Sequence, residues 1–205
     1  DISDWIGSKN TSRGIVERVT AELINSTIGK KPNEDFKNGD PLPPLWHWFA
    51  FPSAIHLSQL GDDGHPKHIG YTPPKDLTRR MWASGSLTFH SDLRVGQEIT
   101  KDTTVLDIKE KESQSGKMVF ITYEHKLRNS SNIAITETQN IVYLQASQSF
   151  NPPKKRDVPQ SDYPKDKIVI SNPLLFRFSA LTYNAHRIHS VSYTHLTLPT
   201  RRGGG

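Results

Sequence analysis

The sequence predicts an α+β fold for residues 1–147, a curved antiparallel sheet wrapped on one helix. Three observations carry that expectation. Residues 98–109, 117–128 and 132–146 alternate apolar and polar side chains with period two, the mark of half-buried strands. Val119, Ile121, Tyr123 and Leu127 share one parity in the second of these, and Ile133, Ile135, Ile141 and Tyr143 share one in the third. The polar connections at 110–116 and 129–132 are short, which makes the three strands an antiparallel meander. A sheet with one apolar face needs a cover, and the only helix upstream follows Thr20.

The elements follow in order. Ile15, Val16 and Val19 favour a short strand over 13–19, after which Thr20 caps a helix carrying Leu23, Ile24 and Ile28. Gly29, followed by Lys30, Lys31 and Pro32, stops that helix. Asn38, Gly39, Asp40, Pro41, Pro43 and Pro44 break regular structure through residues 30–44. The densest aromatic stretch comes next, Leu45-Trp46-His47-Trp48-Phe49-Ala50-Phe51, whose rings suit a core while the Trp and His polar edges suit a pocket wall. Residues 52–78 form a second long loop, expected to serve as a lid or pocket rim because loops beyond about 15 residues in a compact domain tend to be functional. A short strand at 86–90 then leads into the meander.

Beyond it, Pro152, Pro153, Pro159 and Pro164 among charges make residues 148–167 a stiff, solvated linker. A second unit occupies 168–189. Residues 168–171 and 174–178 read as extended, and Ser179 caps a short helical turn over Ala180 to Asn184. This repeats the opening of the first unit, a strand running into a capped helix.

Composition excludes several classes. Of 205 residues, 34% are apolar and 23% charged, which is polar for a globular chain without the signature of disorder. The longest apolar runs are about five residues, against the roughly 20 that a bilayer crossing needs, so no membrane span is expected. The absence of cysteine removes disulfides, thiolate nucleophiles and iron–sulfur ligation, and fits a reducing compartment. The net charge of +5 is concentrated in Lys154, Lys155, Arg156, Arg201 and Arg202, and the aromatics are not interleaved with Lys or Arg, so a nucleic-acid partner is not expected.

The chemistry concentrates in Phe176 through His189, where Asn184, His186, Arg187 and His189 crowd into six residues. Three readings stay open on the residues alone. His186 and His189, three apart, could share a helical face and bind a metal, but no Asp, Glu or Cys stands near to complete the ligand set, so no metal is expected. They could be a hydrogen-bonded pair in a partly buried surface. Or they could do acid–base work, since histidine titrates nearest neutrality and passes a proton both ways in a reversible addition of water. Asn184 would then hold a water or a carbonyl without titrating.

Taken together, Leu42-Pro43-Pro44-Leu45-Trp46-His47-Trp48, Arg79-Arg80-Met81-Trp82-Ala83-Ser84-Gly85, Leu93-Arg94-Val95-Gly96 and Phe176 through His189 resemble the MaoC-like double hot dog hydratases. The resemblance is to the branch of 3-methylfumaryl-CoA (mesaconyl-CoA) hydratase and type 2 hydroxyacyl-thioester dehydratase, and it covers residues 4 to 189. It implies two packed hot dog folds, the N-terminal one complete here and holding much of an acyl-CoA, the C-terminal one supplying a segment shaped Asp-x-Asn-Pro-x-His. On this chain the terminal histidine of that segment falls on His189, its aspartate on Asn184, its asparagine on His186 and its proline on Arg187, so the usual Asp/His pair is absent.

The activity implied is a hydro-lyase acting on an α,β-unsaturated or 3-hydroxy acyl-CoA, with a non-catalytic acyl-CoA binding module and a hot dog thioesterase as alternatives. His189 is the expected proton-transfer group, with Asn184 or His186 placing the water. Developing enolate charge would meet backbone N–H groups near a helix start. If the substrate is a dicarboxylic monothioester, one of Arg79 and Arg80 would grip its free carboxylate and the other meet CoA phosphates. Trp46, His47 and Trp48 would line the same pocket, with Arg187 as a further substrate contact. No cofactor is expected beyond the CoA of the substrate. A homodimer is expected, in the cytoplasm or, for a eukaryotic source, the mitochondrial matrix. Residues 190–205, ending in Arg201, Arg202 and three glycines, look like translated cloning or adapter sequence, so the second hot dog is expected to be cut short and the chain inactive for want of its packing.

Overall fold

The computed structural model describes residues 2–32, 34–61, 64, 66–67, 77, 79–113, 116–130, 132–145 and 169–186. Five strands, β1 (Lys9–Ile15), β2 (Arg79–Phe89), β3 (Glu98–Ser113), β4 (Gly116–Asn129) and β5 (Asn132–Leu144), join helices α1 (Arg18–Ile28) and α2 (Asn172–Leu181). The sheet runs β1-β3-β4-β5-β2, with every neighbouring pair antiparallel. The expected meander is there, closed by the pairs Ser113↔Gly116 and Asn129↔Asn132.

Three elements differ from the sequence expectation. The first strand is Lys9–Ile15 rather than 13–19, and Val19 belongs to a helix that starts at Arg18 instead of after Thr20. β1 is an edge strand whose polar residues pair with β3, and Thr11 Oγ1 donates to Asp102 Oδ1 at 2.8 Å, so no apolar periodicity marks it. β2 begins at Arg79 rather than Ser86. A register shift between Trp82 and Ser84 breaks the alternation that would have revealed its first half. Residues 174–178 are helical, not extended, and Ser179 lies inside α2 rather than capping a turn. The cap is Ser171, whose Oγ accepts from Leu174 N at 3.3 Å with Pro173 in the first turn, and this start signal overrides the strand preference of the aromatic run.

α1 lays Ala21 and Ile24 on one face of the sheet, where Val16, Ile99, Leu127 and Ile135 complete a buried cluster. Leu23 and Ile28, expected beside Ile24, are half exposed instead, because the inward stripe is the one through Ala21, Ile24 and Asn25. A second buried cluster gathers Leu77, Val105, Val119, Ile121, Ile141 and Tyr143 farther along the same central strands. Full burial of each such side chain is worth roughly 1.5–3 kcal/mol. A five-stranded antiparallel sheet packed on a helix is the hot dog fold.

The aromatic stretch forms a 3-10 turn, Trp46–Ala50, entered through Leu45 at φ 74°, a conformation that a bulky side chain rarely adopts. β1 admits the turn at Gly14, where a Cβ would stand 2.1 Å from Ala50 O. α2 docks on the same turn, Phe178 meeting Phe49 edge-on at 5.4 Å while Leu181 packs against the α1 cluster. The linker at 148–167, Arg187, His189 and the tail at 190–205 lie outside the described residues, apart from the start of the second unit at 169–186.

Candidate active site

One wall of the site rises from the Trp46–Ala50 turn and β2. Trp48 stands edge-on to Trp82 at 5.8 Å, and Trp82 Nε1 donates to Ser84 O at 2.8 Å, which fixes both rings across the β2 irregularity. Arg80 lies on the same strand. It has no carboxylate partner among the described residues. Burial pushes the Tyr143 phenol up, and the charge of Arg80, its cross-strand partner, pulls the other way.

The opposite wall is the end of α2. Tyr183 N donates to Ala180 O at 3.1 Å and Asn184 N to Ser179 O at 2.9 Å, a Schellman closure with Tyr183 left-handed at φ 52°. Asn184 Oδ1 then accepts from His186 N at 2.9 Å, an Asx turn that presents the asparagine and histidine together. Gly64, at φ 85°, holds this segment from outside. A Cβ there would lie 2.0 Å from Ala185 O, so only glycine allows the approach.

Between these walls lies a cavity of about 810 Å³, in the range of small-molecule sites. Trp48, Arg80, Trp82, Asn184 and His186 line it, with Ser53, Ile55 and Leu57 of the 52–78 loop along its rim. No Asp or Glu is among the described lining residues. Among the described lining residues the cavity therefore offers aromatic faces, the Arg80 guanidinium, the His186 imidazole and the amides of Asn184 and Gln139, a set suited to an anionic ligand with an unsaturated or carbonyl-bearing body.

Behind Trp48 sits a buried carboxylate. Glu137 is 2% exposed, and its oxygens accept from Trp48 Nε1 at 3.3 Å each and from Gln139 Nε2 at 2.7 Å, with His47 Nε2 at 3.7 Å. Burial alone would raise the Glu137 carboxyl, but His47, Gln139, Trp48 and His125 together hold it below its ordinary value. His125, bonded through Nδ1 to Thr103 Oγ1 at 2.8 Å, is lowered by burial and by Lys101 against the pull of Glu137. Burial likewise lowers Lys101, whose Nζ lies 4.2 Å above the Phe51 ring.

Of the residues expected from sequence, Trp48, Arg80, Asn184 and His186 meet at the cavity. His47 is buried one layer behind it, and Trp46 packs on Phe36 at 5.4 Å, away from it. Arg79, adjacent to Arg80 on an alternating strand, projects from the other face and is exposed. Arg187 and His189 lie outside the described residues. Sequence reasoning missed Trp82, Tyr183, Gln139 and the buried Glu137. A signal existed for the last two: both carry the inward parity of Ile135 and Ile141.

The family model for hydroxyacyl-thioester dehydratase type 2 matches residues 45–195, which include both walls of the cavity. The mesaconyl-C(4)-CoA hydratase of Chloroflexus aurantiacus is 35% identical over 190 residues, spanning 91% of this chain and 68% of that protein. The chain belongs to the type 2 hydroxyacyl-thioester dehydratase family. A second member, the mitochondrial hydroxyacyl-thioester dehydratase type 2 of Schizosaccharomyces pombe, is 28% identical over 192 residues, covering 77% of this chain and 63% of that one. This chain thus spans about two thirds of the length of the curated family members it matches. The fold is shared with HtdX of Mycobacterium tuberculosis, at TM-score 0.56 and 13% identity over 91% of this chain and 68% of that one. The chain is therefore a member of an acyl-thioester hydratase and dehydratase family, as the four motifs taken together led us to expect. Among the described residues no helix is long and apolar enough to cross a membrane.

Proposed function

We propose that this chain belongs to a hydro-lyase that adds water to an α,β-unsaturated acyl-CoA and removes it from the 3-hydroxy thioester, with a 3-methylfumaryl-CoA-like acyl group. One observation carries the reading. The aromatic and Arg80 wall of the sheet and the Asn184–His186 end of α2 enclose a single cavity. In hydration, water oxygen bonds to the β-carbon, the water gives up a proton, and the α-carbon takes one. Two proton transfers around one carbon–carbon bond suit imidazoles, and His189 is proposed as the proton-transfer group, with Asn184 or His186 holding the water. Arg187 is proposed as a further contact to the thioester.

Arg80 supports the choice of acyl group. Mesaconic acid is dicarboxylic, so its monothioester keeps a free carboxylate, and a guanidinium beside aromatic rings with no carboxylate partner among the described residues binds such a group in bidentate fashion. Trp48 and Trp82 flank the unsaturated chain. No cofactor enters beyond the CoA of the substrate. We place the enzyme in the cytoplasm or the mitochondrial matrix and read it as a homodimer, the compartment supported by the mitochondrial relative.

Incubation of a full-length version of the protein with 3-methylfumaryl-CoA should consume the enoyl-thioester absorbance, and His189→Ala in it should lower kcat by about 10²–10⁴-fold. Turnover unchanged in that variant would remove His189 from the mechanism. Release of free CoA would make the enzyme a thioesterase, and calorimetric binding without turnover would make the chain a binding module.

A further inference from the structure

The strongest unassigned feature is a polar band across an otherwise apolar sheet face. Leu127 pairs with Ile135 at one end of β4 and β5, and Ile121 pairs with Ile141 at the other, all buried. Between them the same face carries His125 opposite Glu137 and Tyr123 opposite Gln139, with Thr103 opposite His125 on β3. Aliphatic side chains would fill these positions at less desolvation cost. The band lies at the level of the Trp46–Ala50 turn, under Trp48.

We propose that Glu137 is a positioning residue: its carboxylate holds the Trp48 indole and the Gln139 amide in the cavity wall without touching the cavity. Trp48 and Gln139 line the cavity, whereas Glu137 does not. Both present N–H donors backward to it, Nε1 of Trp48 at 3.3 Å from each oxygen and Nε2 of Gln139 at 2.7 Å from one. The carboxylate thus turns two donors away from the ligand space and leaves the ring of Trp48 facing it. The charged and titratable groups around the carboxylate are Lys101 of β3, His125 of β4 and His47 of the turn, and the Nε2 of His47 has no hydrogen-bond partner among the described residues. A carboxylate meets the two donors with two acceptor oxygens and charge-assisted bonds, whereas a glutamine at 137 would offer one oxygen and bring its own NH2 donors into the same buried space. The consequence for affinity rests on the cavity being the acyl site; the positioning itself does not.

The ¹⁵N-labelled chain tests this through its four tryptophan indoles, with Trp48 assigned by its loss in Trp48→Phe. The Trp48 indole proton is shared between the two Glu137 oxygens at 3.3 Å, so its signal reports on the carboxylate. Glu137→Gln should move the Trp48 signal upfield and leave in place that of Trp5, which lies in the N-terminal 3-10 turn and not at the cavity. A Trp48 signal unmoved, or all indoles moving together, would overturn the proposal. If Glu137→Gln does not fold, Gln139→Met removes the competing donor and should move the Trp48 signal further downfield; no movement would equally overturn it. Crotonyl-CoA binding by calorimetry gives the second readout. Glu137→Gln should weaken it about tenfold, with little further loss on the Trp48→Phe background, since both act through one ring. Additive losses would contradict positioning through Trp48. Failure of the wild-type chain to bind crotonyl-CoA would count against the acyl-site reading, and the indole signals would still decide the role of Glu137.

Discussion

The two helices of this chain start differently, α1 after β1 and without a side-chain cap, α2 capped by Ser171, and they end in opposite circumstances. α1 buries Ala21, Ile24 and Asn25 beneath the sheet, whereas α2 has no buried residue and leaves Phe176 67% exposed. The cavity lies between the Trp46–Ala50 turn with β2 and the end of α2, so its aromatic wall stands on a turn packed into the α1 cluster and its Asn184–His186 wall on a helix with no buried residue. A few contacts fix the second wall: the Schellman closure, Phe178 against Phe49, and Gly64 against Ala185. Placement of the polar groups is therefore more easily disturbed than that of the rings.

Substitutions should expose that asymmetry. Leu127→Ala, in the α1 cluster, should cost about 2–5 kcal/mol and lower the urea midpoint sharply. Gly64→Ala combines a left-handed backbone with a clash against Ala185 O, and should cost about 1–3 kcal/mol locally. Limited proteolysis near residue 184 should rise in that variant while the urea midpoint of the sheet barely moves; a global loss instead would show that the two walls fold as one. Phe178→Ala should cost about 1 kcal/mol through its edge contact. Phe176→Ala, two residues away but exposed, should stay within about 0.5 kcal/mol.

Acid should act on the well-packed side. His125 and Glu137 are both held below their ordinary values of 6.5 and 4.5, so the unfolded chain binds more protons than the folded one as pH drops past each. Stability should therefore fall from about pH 6.5 downward and fall again below about 4.5, read as the urea midpoint at successive pH values. A midpoint that rises on acidification would contradict the buried cluster.

The sequence made the meander legible because β3, β4 and β5 each bury one face and so carry the period in their side chains. β1 was displaced because an edge strand of Lys, Asn, Thr and Ser has no such period, and half of β2 was hidden by the irregularity at Trp82 and Ser84. α2 was misread because aromatic residues at 176 and 178 favour strands locally, while the deciding signal was a single serine at 171. At the site, Trp48, Arg80, Asn184 and His186 were legible as chemical types, yet only the fold separates Trp48 from Trp46, and Arg80 from Arg79, by turning neighbours to opposite sides. Glu137 went unseen because a polar run reads as a solvated face, even though its parity matches the buried isoleucines.

The central claim is that one cavity, with a wall from each unit, holds the acyl end of a CoA thioester. Photolabelling with a CoA thioester whose acyl chain carries a diazirine, followed by peptide mapping, tests it without requiring turnover. The account predicts adducts in both 46–66 and 176–186, suppressed by excess crotonyl-CoA. Adducts confined to the exposed face of the sheet, or unaffected by the competitor, would contradict it.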